Sequence, residues 1–531
     1  MKKHAYLILH ACLILIVFAL TGCATAPQTQ MHDGLSPGKG GYVYVNYPKS
    51  NPGTPISVRS VLDGKTYELD SILNEKVNGA GAWLPAGNYT IATWDSYPFG
   101  NYTQFQVEAG HVTDLGSLIP VTVGGYEFVV LPLRPAELSG VIGSIIQRYR
   151  EFLTSTVPIE WDPVKPPPPI QIPQPGSPLQ LGALVAALNA YDQHLNKPPL
   201  RQQLLNATSI ESFFELAKAS SQPDMRIPVT DGRGGYYFGA DFGQIRTRDS
   251  HGIWNTIDTG TLHAVTALTR YGSMLVAGYD NGQIRISNDE GKSWKPIGLL
   301  DCGGTILSIS RTGSRWLAIA VQQTLASNGL EYADQVIVYM SDDGTLENLA
   351  RINSASLKLK SAVWVAYLRA QSLEDNYFIN AAPDLMKLDL GTMTWAPVSL
   401  PGEISNYSIN RPKGTISAFF AKGAFSKLYV STDEARSWMK YKAPPYAIAD
   451  VVFKSAGEGM GVRVESKFFT TAIQFMRYSS PTGEWQLLSE APETCARVFD
   501  DADETPRFCI TKGGTIFGFS DGKWAIEYSS E

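Results

Sequence analysis

The chain has 531 residues, of which 44% are apolar, 18% charged and 11% aromatic. This composition supports a large buried core and excludes a disordered or highly charged tail protein. The net charge of −6 gives no electrostatic attraction to phosphates, so no nucleic-acid partner is expected. With 48 Gly and 33 Pro, the composition favours many short strands joined by turns, and hence an all-β protein.

The first 22 residues have the pattern of an export signal. Lys2 and Lys3 precede an apolar run from Ala5 to Leu20, and the sequence Leu20-Thr21-Gly22-Cys23 follows. A positive start, a short apolar stretch and small residues before a cleavage site are typical of secretory signals. An uncleaved membrane anchor is the alternative, although the apolar run is short for the ~20 residues that a span needs.

The sequence Leu20-Thr21-Gly22-Cys23 resembles the lipobox of bacterial lipoproteins. The resemblance implies cleavage before Cys23 and acylation of Cys23 with palmitate-type chains, which hold a protein stably at a membrane. Ala24 at the next position favours the outer membrane, and both its periplasmic and its surface face remain open. Residues 23–39 are then expected to form a flexible tether.

Residues 40–135 alternate in the manner of short strands, as in the segment 56–62 before the turn residues Asp63-Gly64. About seven strands are expected, which fits a small β-sandwich. The segments 84–91 (LPAGNYTI) and 105–116 (FQVEAGHVTDLG) resemble PEGA and carboxypeptidase-regulatory-like sandwiches. That resemblance implies a non-catalytic spacer or binding module.

Three segments join this module to the C-terminal domain. Residues 136–157 place apolar side chains at helical spacing, which predicts an amphipathic helix that either docks on a neighbouring domain or lies in a membrane interface. Residues 158–178 are Pro-rich and predict a semi-rigid linker.

Residues 179–225 predict short helices at about 179–193, 199–206 and 209–219. Thr208 to Glu211 is expected to cap the last of them, and its buried candidates are Phe213, Phe214 and Leu216.

Residues 226–531 contain an internal repeat of about 45 residues. Three copies carry the pattern S/T-x-D followed by Trp. A degenerate copy spans Tyr339 to Gly344 and lacks the Trp, and weaker echoes end at Trp395, Trp485 and Trp524. The residues of the three stronger copies are Thr247, Asp249 and Trp254; Ser287, Asp289, Gly291 and Trp294; and Ser431, Asp433 and Trp438. Seven copies predict a seven-bladed β-propeller of four-stranded sheets.

The segment Ser287 to Trp294 resembles the Asp-box of BNR propellers, which include sialidases, sortilin-type ectodomains and photosystem-assembly propellers. The resemblance implies that the box residues are structural rather than catalytic. Two segments, Gln322 to Asp334 in the third blade and Ala370 to Asp384 in the fourth, are expected to be long loops that build a binding face.

A sialidase activity is the alternative function. Arg226-Ile227-Pro228 matches the last three residues of the sialidase motif whose Arg clamps the substrate carboxylate. Asp231 or Asp241 would then supply the acid, and the further clamp residues would come from Arg311, Arg315, Arg411 and Arg497. None of these lies in a matching motif, and no other catalytic motif occurs. The sequence therefore favours a non-catalytic lipoprotein whose propeller binds a protein or a glycan.

The cysteines predict no metal site, since CxxC spacing and paired His are missing from the sequence. Cys495 and Cys509 flank a turn and are expected either to form a cross-strand disulfide or to be two buried thiols; Cys302 is left over. The acidic run 500–504 is interpreted as a solvated hairpin tip, with Ca²⁺ binding as the other reading. No cofactor is expected.

Overall fold

The computed structural model describes residues 39–46, 56–74, 77–94, 97–98, 104–124, 127–133, 138–158, 170–171, 199–221, 223, 228–230, 234–325, 331–341, 343–363, 365, 368–373, 376–381, 384–402, 404–410, 414–420, 425–444, 447–467, 470–479, 483–490, 495–499, 508–511, 515–520 and 522–529. The chain divides into two compact units. The first comprises Met1–Asn46, Thr54–Ser71 and Ala80–Phe214, and the second comprises Tyr47–Gly53, Ile72–Gly79 and Glu215–Glu531. Within the described ranges, no helix has the length and apolar content to span a membrane.

The N-terminal strands form one eleven-stranded sheet, paired in the order β11-β9-β8-β1-β4-β3-β2-β5-β6, with β10 on β8 and β7 on β5. The strands are β1 Gly41–Asn46, β2 Ile56–Ser60, β3 Thr66–Asn74, β4 Val77–Leu84, β5 Gly87–Trp94, β6 Tyr97–Pro98, β7 Gln104–Val107, β8 His111–Gly124, β9 Glu127–Leu133, β10 Ser155–Pro158 and β11 Ile170–Gln171. Most neighbours are antiparallel, but β1 and β10 both run parallel to β8. This sheet is consistent with the predicted sandwich, and it has nine strands up to Leu133 rather than about seven.

The predicted helix 136–157 is shorter than expected. Helix α1 spans Leu138–Arg148 and contacts β8 of the same unit. Tyr149 and Phe152 follow it and place their rings 5.5 Å and 6.2 Å from that of Trp83. The chain then becomes strand β10, because the sequence from Thr154 to Val157 is rich in β-branched residues, which favour extended backbone.

Two further helices, α2 at Pro199–Leu205 and α3 at Ile210–Ala219, follow. The cap of α3 differs from the expected Thr208–Glu211 pair. Ser209 Oγ accepts the backbone N–H of Ser212 at 3.1 Å, and Ser212 Oγ accepts that of Ser209 at 3.2 Å. A serine one position later thus makes the reciprocal bonds of a capping box. Phe213 and Phe214 are buried and Leu216 is half-buried.

The predicted helix at 179–193 and most of the predicted Pro-rich linker lie outside the described residues. In the predicted Pro-rich linker, Ile170 and Gln171 pair with Phe128 and Glu127 at the edge of the sheet. An edge position suits a Pro-rich segment, because proline has no backbone N–H to donate to a neighbouring strand.

The second unit contains a seven-bladed β-propeller, as the repeat predicts. Its sheets each pair four consecutive strands in chain order. The first three blades are β12 Val229–Thr230, β13 Tyr236–Gly239, β14 Gln244–Arg248 and β15 Trp254–Asp258; β16 Val265–Tyr271, β17 Met274–Tyr279, β18 Gln283–Ser287 and β19 Lys295–Leu299; and β20 Thr305–Thr312, β21 Arg315–Leu325, β22 Glu331–Ser341 and β23 Ala350–Arg351. A 3₁₀ turn, Asn353–Ala355, and strand β24, Leu357–Val363, follow the third blade.

The remaining four blades have the same order of strands. They are β25 Ala370–Leu373, β26 Asn376–Ala381, β27 Asp384–Asp389 and β28 Thr394–Pro397; β29 Asn406–Asn410, β30 Thr415–Phe420, β31 Lys427–Ser431 and β32 Met439–Tyr441; β33 Ala447–Ser455, β34 Glu458–Lys467, β35 Thr470–Ser479 and β36 Glu484–Glu490; and β37 Cys495–Phe499, β38 Phe508–Thr511, β39 Ile516–Ser520 and β40 Lys523–Tyr528. First strands of neighbouring blades contact each other, as β16 does β20 and β29 does β33. The first strands therefore line the centre of the ring.

Both predicted long loops are wrong. In the third blade, pairing between β21 and β22 continues to Leu325 and Glu331, so most of the expected loop is an extended hairpin. In the fourth blade, the segment from Ala370 to Asp384 is built from β25, β26 and the start of β27. In the fourth blade, β26 is buried along its whole length, so this segment packs within the propeller.

Candidate binding face of the propeller

The two ends of the blades carry different structures. Turns between the first and second strands and between the third and fourth strands lie at one end, which we call the box face because the S/T-x-D corners follow third strands. Turns between the second and third strands lie at the other end, which we call the hairpin face. The same order of strands in all seven blades places like turns on the same side of the ring.

The corner of the second blade is closed by two side chains. Ser287 Oγ donates to Asp289 Oδ1 at 2.7 Å and accepts the backbone N–H of Gly291 at 2.7 Å. Asp289 in turn accepts the N–H of Ser293 at 2.9 Å and its hydroxyl at 2.6 Å. Gly291 has a φ of +91°, which favours glycine. Trp294 donates its Nε1–H to the carbonyl of Gly291 at 3.1 Å.

The fifth-blade corner repeats this geometry without the glycine. Ser431 Oγ donates to Asp433 Oδ1 at 2.8 Å and accepts the N–H of Ala435 at 2.9 Å. Asp433 accepts the N–H and hydroxyl of Ser437 at 2.9 Å and 2.6 Å. Ala435 takes a φ of +64° where the second blade has Gly291. The network of side-chain bonds therefore holds the corner even where an alanine occupies the left-handed region.

The first-blade corner is built differently. Asp249 Oδ1 accepts the N–H groups of His251 at 2.9 Å and Ile253 at 2.8 Å. The hydroxyl of Thr247 donates instead to the carbonyl of Asn255 at 3.4 Å. Gly252, displaced by one position in the sequence, has a φ of +86°. In the degenerate third-blade copy, Asp343 Oδ1 accepts the hydroxyl of Ser341 at 3.1 Å and the N–H of Thr345 at 2.9 Å.

Hydrogen bonds from the corners favour the charged form of these carboxylates. Bonds from Ser293 and Ser287 lower the pKa of Asp289 from 3.8 to about 2. Bonds from Asn348 and Thr345 lower the pKa of Asp343, and those from Ile253 and His251 lower that of Asp249. These carboxylates are thus acceptors for hydrogen bonds within their own corners.

The box tryptophans seal the junctions between blades. Each packs in an apolar cluster shared by its own blade and the preceding one: Trp254 with the seventh blade, Trp294 with the first, Trp395 with the third, Trp438 with the fourth, Trp485 with the fifth and Trp524 with the sixth. The third blade lacks a box Trp, and Leu346 and Trp316 fill the equivalent cluster. Trp254 therefore packs where the ring closes.

Two arginines of the first blade have roles that the sequence did not reveal. Arg246 is fully buried, and its Nη2 donates to the carbonyls of Lys218 at 2.6 Å and Ala219 at 2.9 Å, at the C-terminal end of α3. Burial lowers the pKa of Arg246, while Tyr528 acts in the opposite direction. Arg248 binds Glu527 of the seventh blade with two bonds of 2.9 Å and 3.1 Å. The bonding partners of these arginines lie 28 and 279 residues away in the sequence. No local sequence pattern could therefore have identified the two contacts.

The hairpin face carries two projecting hairpins. Strands β21 and β22 have 11 residues each and β34 and β35 have 10 each, whereas second and third strands elsewhere have four to six. Beyond the last pair with the first strand of the blade, β21 continues for four residues and β34 for three, which extends these hairpins by roughly 10–13 Å. β24 also pairs with β22, through Gln335 and Lys358, and broadens the projection of the third blade. The third and sixth blades lie nearly opposite each other in a ring of seven, so the hairpins flank the central opening.

A buried polar pair lies at the same face. His263, just before β16, has Nδ1 3.2 Å from Asp280 Oδ1, and Asp280 follows β17. Thr305 at the start of β20 donates its hydroxyl to the Asp280 carbonyl at 3.2 Å. These contacts tie the loops of the second and third blades together at the hairpin face.

Of the residues considered for a sialidase site, the three that the structure describes do not lie on the same face. Arg311 and Arg315 flank the turn between β20 and β21, on the box face, whereas Asp241 lies between β13 and β14, on the hairpin face. Arg226, Ile227, Asp231 and Arg411, and the side chain of Arg497, lie outside the described residues.

Other predicted sites are described only in part. Cys509 is buried and disulfide-bonded, and Cys302 is a buried free thiol. Cys495 and Cys509 lie on neighbouring strands but are not direct partners, since Cys495 pairs with Thr511 and Cys509 with Val498. The side chain of Cys495, the acidic run 500–504 and the lipobox with Cys23 lie outside the described residues. In the part of the chain that the structure describes, no group of three His, Cys, Asp or Glu could hold a metal ion.

Comparison with solved structures finds propellers and other proteins of low sequence identity to this chain. No protein-family model and no curated protein matches the chain. YCF48 from Cyanidioschyzon merolae is 13% identical, with a TM-score of 0.37 over 56% of this chain and 92% of that one. The WD40 β-propeller domain of Doa1 is 12% identical, with a TM-score of 0.36 over 57% and 93%. A GH74 xyloglucanase from Xanthomonas campestris is 13% identical, with a TM-score of 0.34 over 50% and 47%.

Proposed function

We propose that the protein is a non-catalytic envelope lipoprotein, anchored through acyl chains on Cys23, whose propeller binds a protein partner on the hairpin face. The pair of projecting hairpins carries the proposal for this face. In the other five blades the second and third strands have only four to six residues, whereas the ends of β21, β22, β34 and β35 continue beyond the first strands of their own sheets. Projections that frame an opening create a concave surface to which a protein surface or segment can bind.

The box face is a less suitable binding surface. The carboxylates that recur in its corners, such as those of Asp289 and Asp433, accept hydrogen bonds from within their own corners. Side chains that already have their partners offer little to a ligand, because binding would have to replace bonds already made.

Site-specific photocrosslinking in the native membrane tests the binding face. A photoreactive amino acid at Glu465 on the sixth-blade hairpin is expected to give a discrete adduct with a second protein, whereas the same group at Lys292 on the box face is not. Replacing residues 465–472 by Asn-Gly, a two-residue hairpin turn, should remove an adduct formed from a second site at Lys358. Adducts only from Lys292, or from no site, would refute the assignment.

The anchor and the lack of catalysis have separate tests. Mass spectrometry of the mature N-terminus should find a diacylglyceryl group on Cys23, and an unmodified residue 23 would refute the anchor. The purified full chain should not hydrolyse a fluorogenic sialoside. Turnover that Arg226→Ala abolishes would instead support the sialidase alternative, because that arginine is the one in the motif match.

A further inference from the structure

The turn between β2 and β3 holds two apolar side chains in solvent. Leu62 is 96% exposed and Val61 is 51% exposed. Backbone hydrogen bonds fix the turn on either side of these residues. The N–H of Gly64 donates to the carbonyl of Ser60 at 3.0 Å, and the N–H of Val61 donates to the carbonyl of Asn88 at 2.9 Å. The exposure of Leu62 is therefore a property of a well-bonded turn rather than of a loose loop.

The chain enters the sheet at the same end as this turn. The carbonyl of Gly40 accepts the N–H of Gly110 at 3.1 Å. A Cβ placed on Gly40 would lie 1.9 Å from the carbonyl oxygen of Leu84, the last residue of β4. The next strand begins at Gly87, beside the Asn88 that holds Val61. A continuous row of backbone contacts thus links the point of chain entry to the exposed turn.

A third exposed apolar side chain lies at this end. Phe152 is 41% exposed and follows α1. Thr154 N–H donates to the carbonyl of Gly110 at 2.9 Å, which brings the segment after α1 beside Gly110 and Gly40. Among the described residues of the first unit, three of the four exposed large apolar ones, Val61, Leu62 and Phe152, therefore lie at one end of its sheet.

We infer that this end of the first unit contacts the lipid bilayer, with Val61 and Leu62 entering the boundary between headgroups and acyl chains. The inference rests on the proposed anchor at Cys23. The 16 residues from Ala24 to Lys39 reach at most about 55 Å when fully extended, so acylation holds this end of the unit close to the membrane. Lys65 Nζ and Asp63 Oδ2 lie 3.7 Å apart, so the turn brings little net charge to the interface. Exposed apolar side chains beside a membrane gain free energy by leaving water.

A fluorescent probe at position 62 tests this contact on the full mature chain. The chain from residue 24, with an N-terminal His tag, is held on phosphatidylethanolamine/phosphatidylglycerol vesicles that contain a nickel-chelating lipid. An NBD group on Leu62→Cys is expected to shift its emission to the blue, to brighten about twofold or more and to be quenched by brominated lipids. Cys302 is buried and Cys509 is disulfide-bonded, so labelling is directed to the new thiol.

The matched control is Ile526→Cys, an exposed apolar position on β40 of the second unit. NBD at this position should be unchanged by vesicles, and Val61→Asp should reduce the response at position 62. Equal responses at 62 and 526, or no response at 62, would overturn the membrane contact. Because the tag replaces the acyl chains, this failure is distinct from that of the anchor, which is tested by the mass of residue 23.

Discussion

At the scale of single residues, one carboxylate in the second-blade corner binds two hydroxyls that differ in burial. Ser287 is buried and also accepts the N–H of Gly291, whereas Ser293 is exposed. Removing the first hydroxyl leaves a buried N–H without its acceptor, and removing the second allows water to replace it. The two bonds to Asp289 are therefore expected to contribute unequally to stability.

Ser287→Ala should lower the free energy of unfolding of the propeller by about 1–3 kcal/mol. Ser293→Ala is the matched control, with an expected loss of about 0.5 kcal/mol or less. Urea unfolding followed by tryptophan fluorescence measures both. Equal losses would show that burial of the Ser287 hydroxyl does not determine its contribution.

The same corner makes stability depend on pH in the acid range. Its hydrogen bonds lower the pKa of Asp289 from 3.8 to about 2 in the folded protein. A carboxylate with a lowered folded pKa stabilises the fold above its unfolded pKa, and this contribution is lost as the pH falls from about 4 to 2. The melting temperature of Asp289→Asn should therefore be below that of the parent at pH 6 and approach it at pH 2. A constant difference between the two proteins across this range would contradict the sign of the shift.

At the scale of elements, Arg246 of the first blade caps the C-terminal end of helix α3 by donating to its carbonyl groups. Arg246→Met should cost about 2–4 kcal/mol, because the carbonyls of Lys218, Ala219 and Ser221 lose a buried donor. Hydrogen exchange of residues 210–221 should become faster in the variant. Arg285→Met is the matched control: Arg285 occupies the equivalent position in β18, but its hydrogen bond is to Thr259. Similar exchange of this segment in both variants would contradict the capping role.

Local sequence patterns predict some of these elements but not the contacts between residues far apart in the chain. The corner pattern is local, since Ser287, Asp289 and Gly291 bond within one turn, and so it predicts the blades and their number. The cap by Arg246 joins residues far apart in sequence, and an arginine on a strand would ordinarily be placed in solvent. A loop is predicted from Gln322 to Asp334, whereas pairs such as Gln322 with Gln335 extend the hairpin of β21 and β22. The alternating pattern places Leu62 at the end of a strand before the turn Asp63-Gly64, whereas β2 ends at Ser60 and Leu62 lies exposed in the turn.

At the scale of the whole molecule, closure of the ring depends on side chains. The first blade is built from β12 to β15 and the seventh from β37 to β40, so neither blade contributes a strand to the other. The junction instead contains an apolar cluster with Trp254 and Tyr528, whose ring centroids are 4.7 Å apart, and the paired bonds between Arg248 and Glu527. The side chains of Arg248 and Glu527 are largely buried, with exposed fractions of 12% and 26%. Solvent therefore screens their interaction less than it would at an open surface.

The ion pair at this junction should therefore be strongly coupled. In a double-mutant cycle with Arg248→Met and Glu527→Gln, we expect a coupling free energy of about 1–3 kcal/mol. The pair Lys442–Glu484, between the fifth and sixth blades, has a shorter contact of 2.7 Å but side chains that are 60% and 56% exposed. Its coupling should be about 0.5 kcal/mol or less. Urea unfolding at low and high salt measures both cycles. Equal couplings would show that burial of the Arg248–Glu527 pair does not strengthen it, whereas a larger coupling between the first and last blades supports a role for this pair in closing the ring.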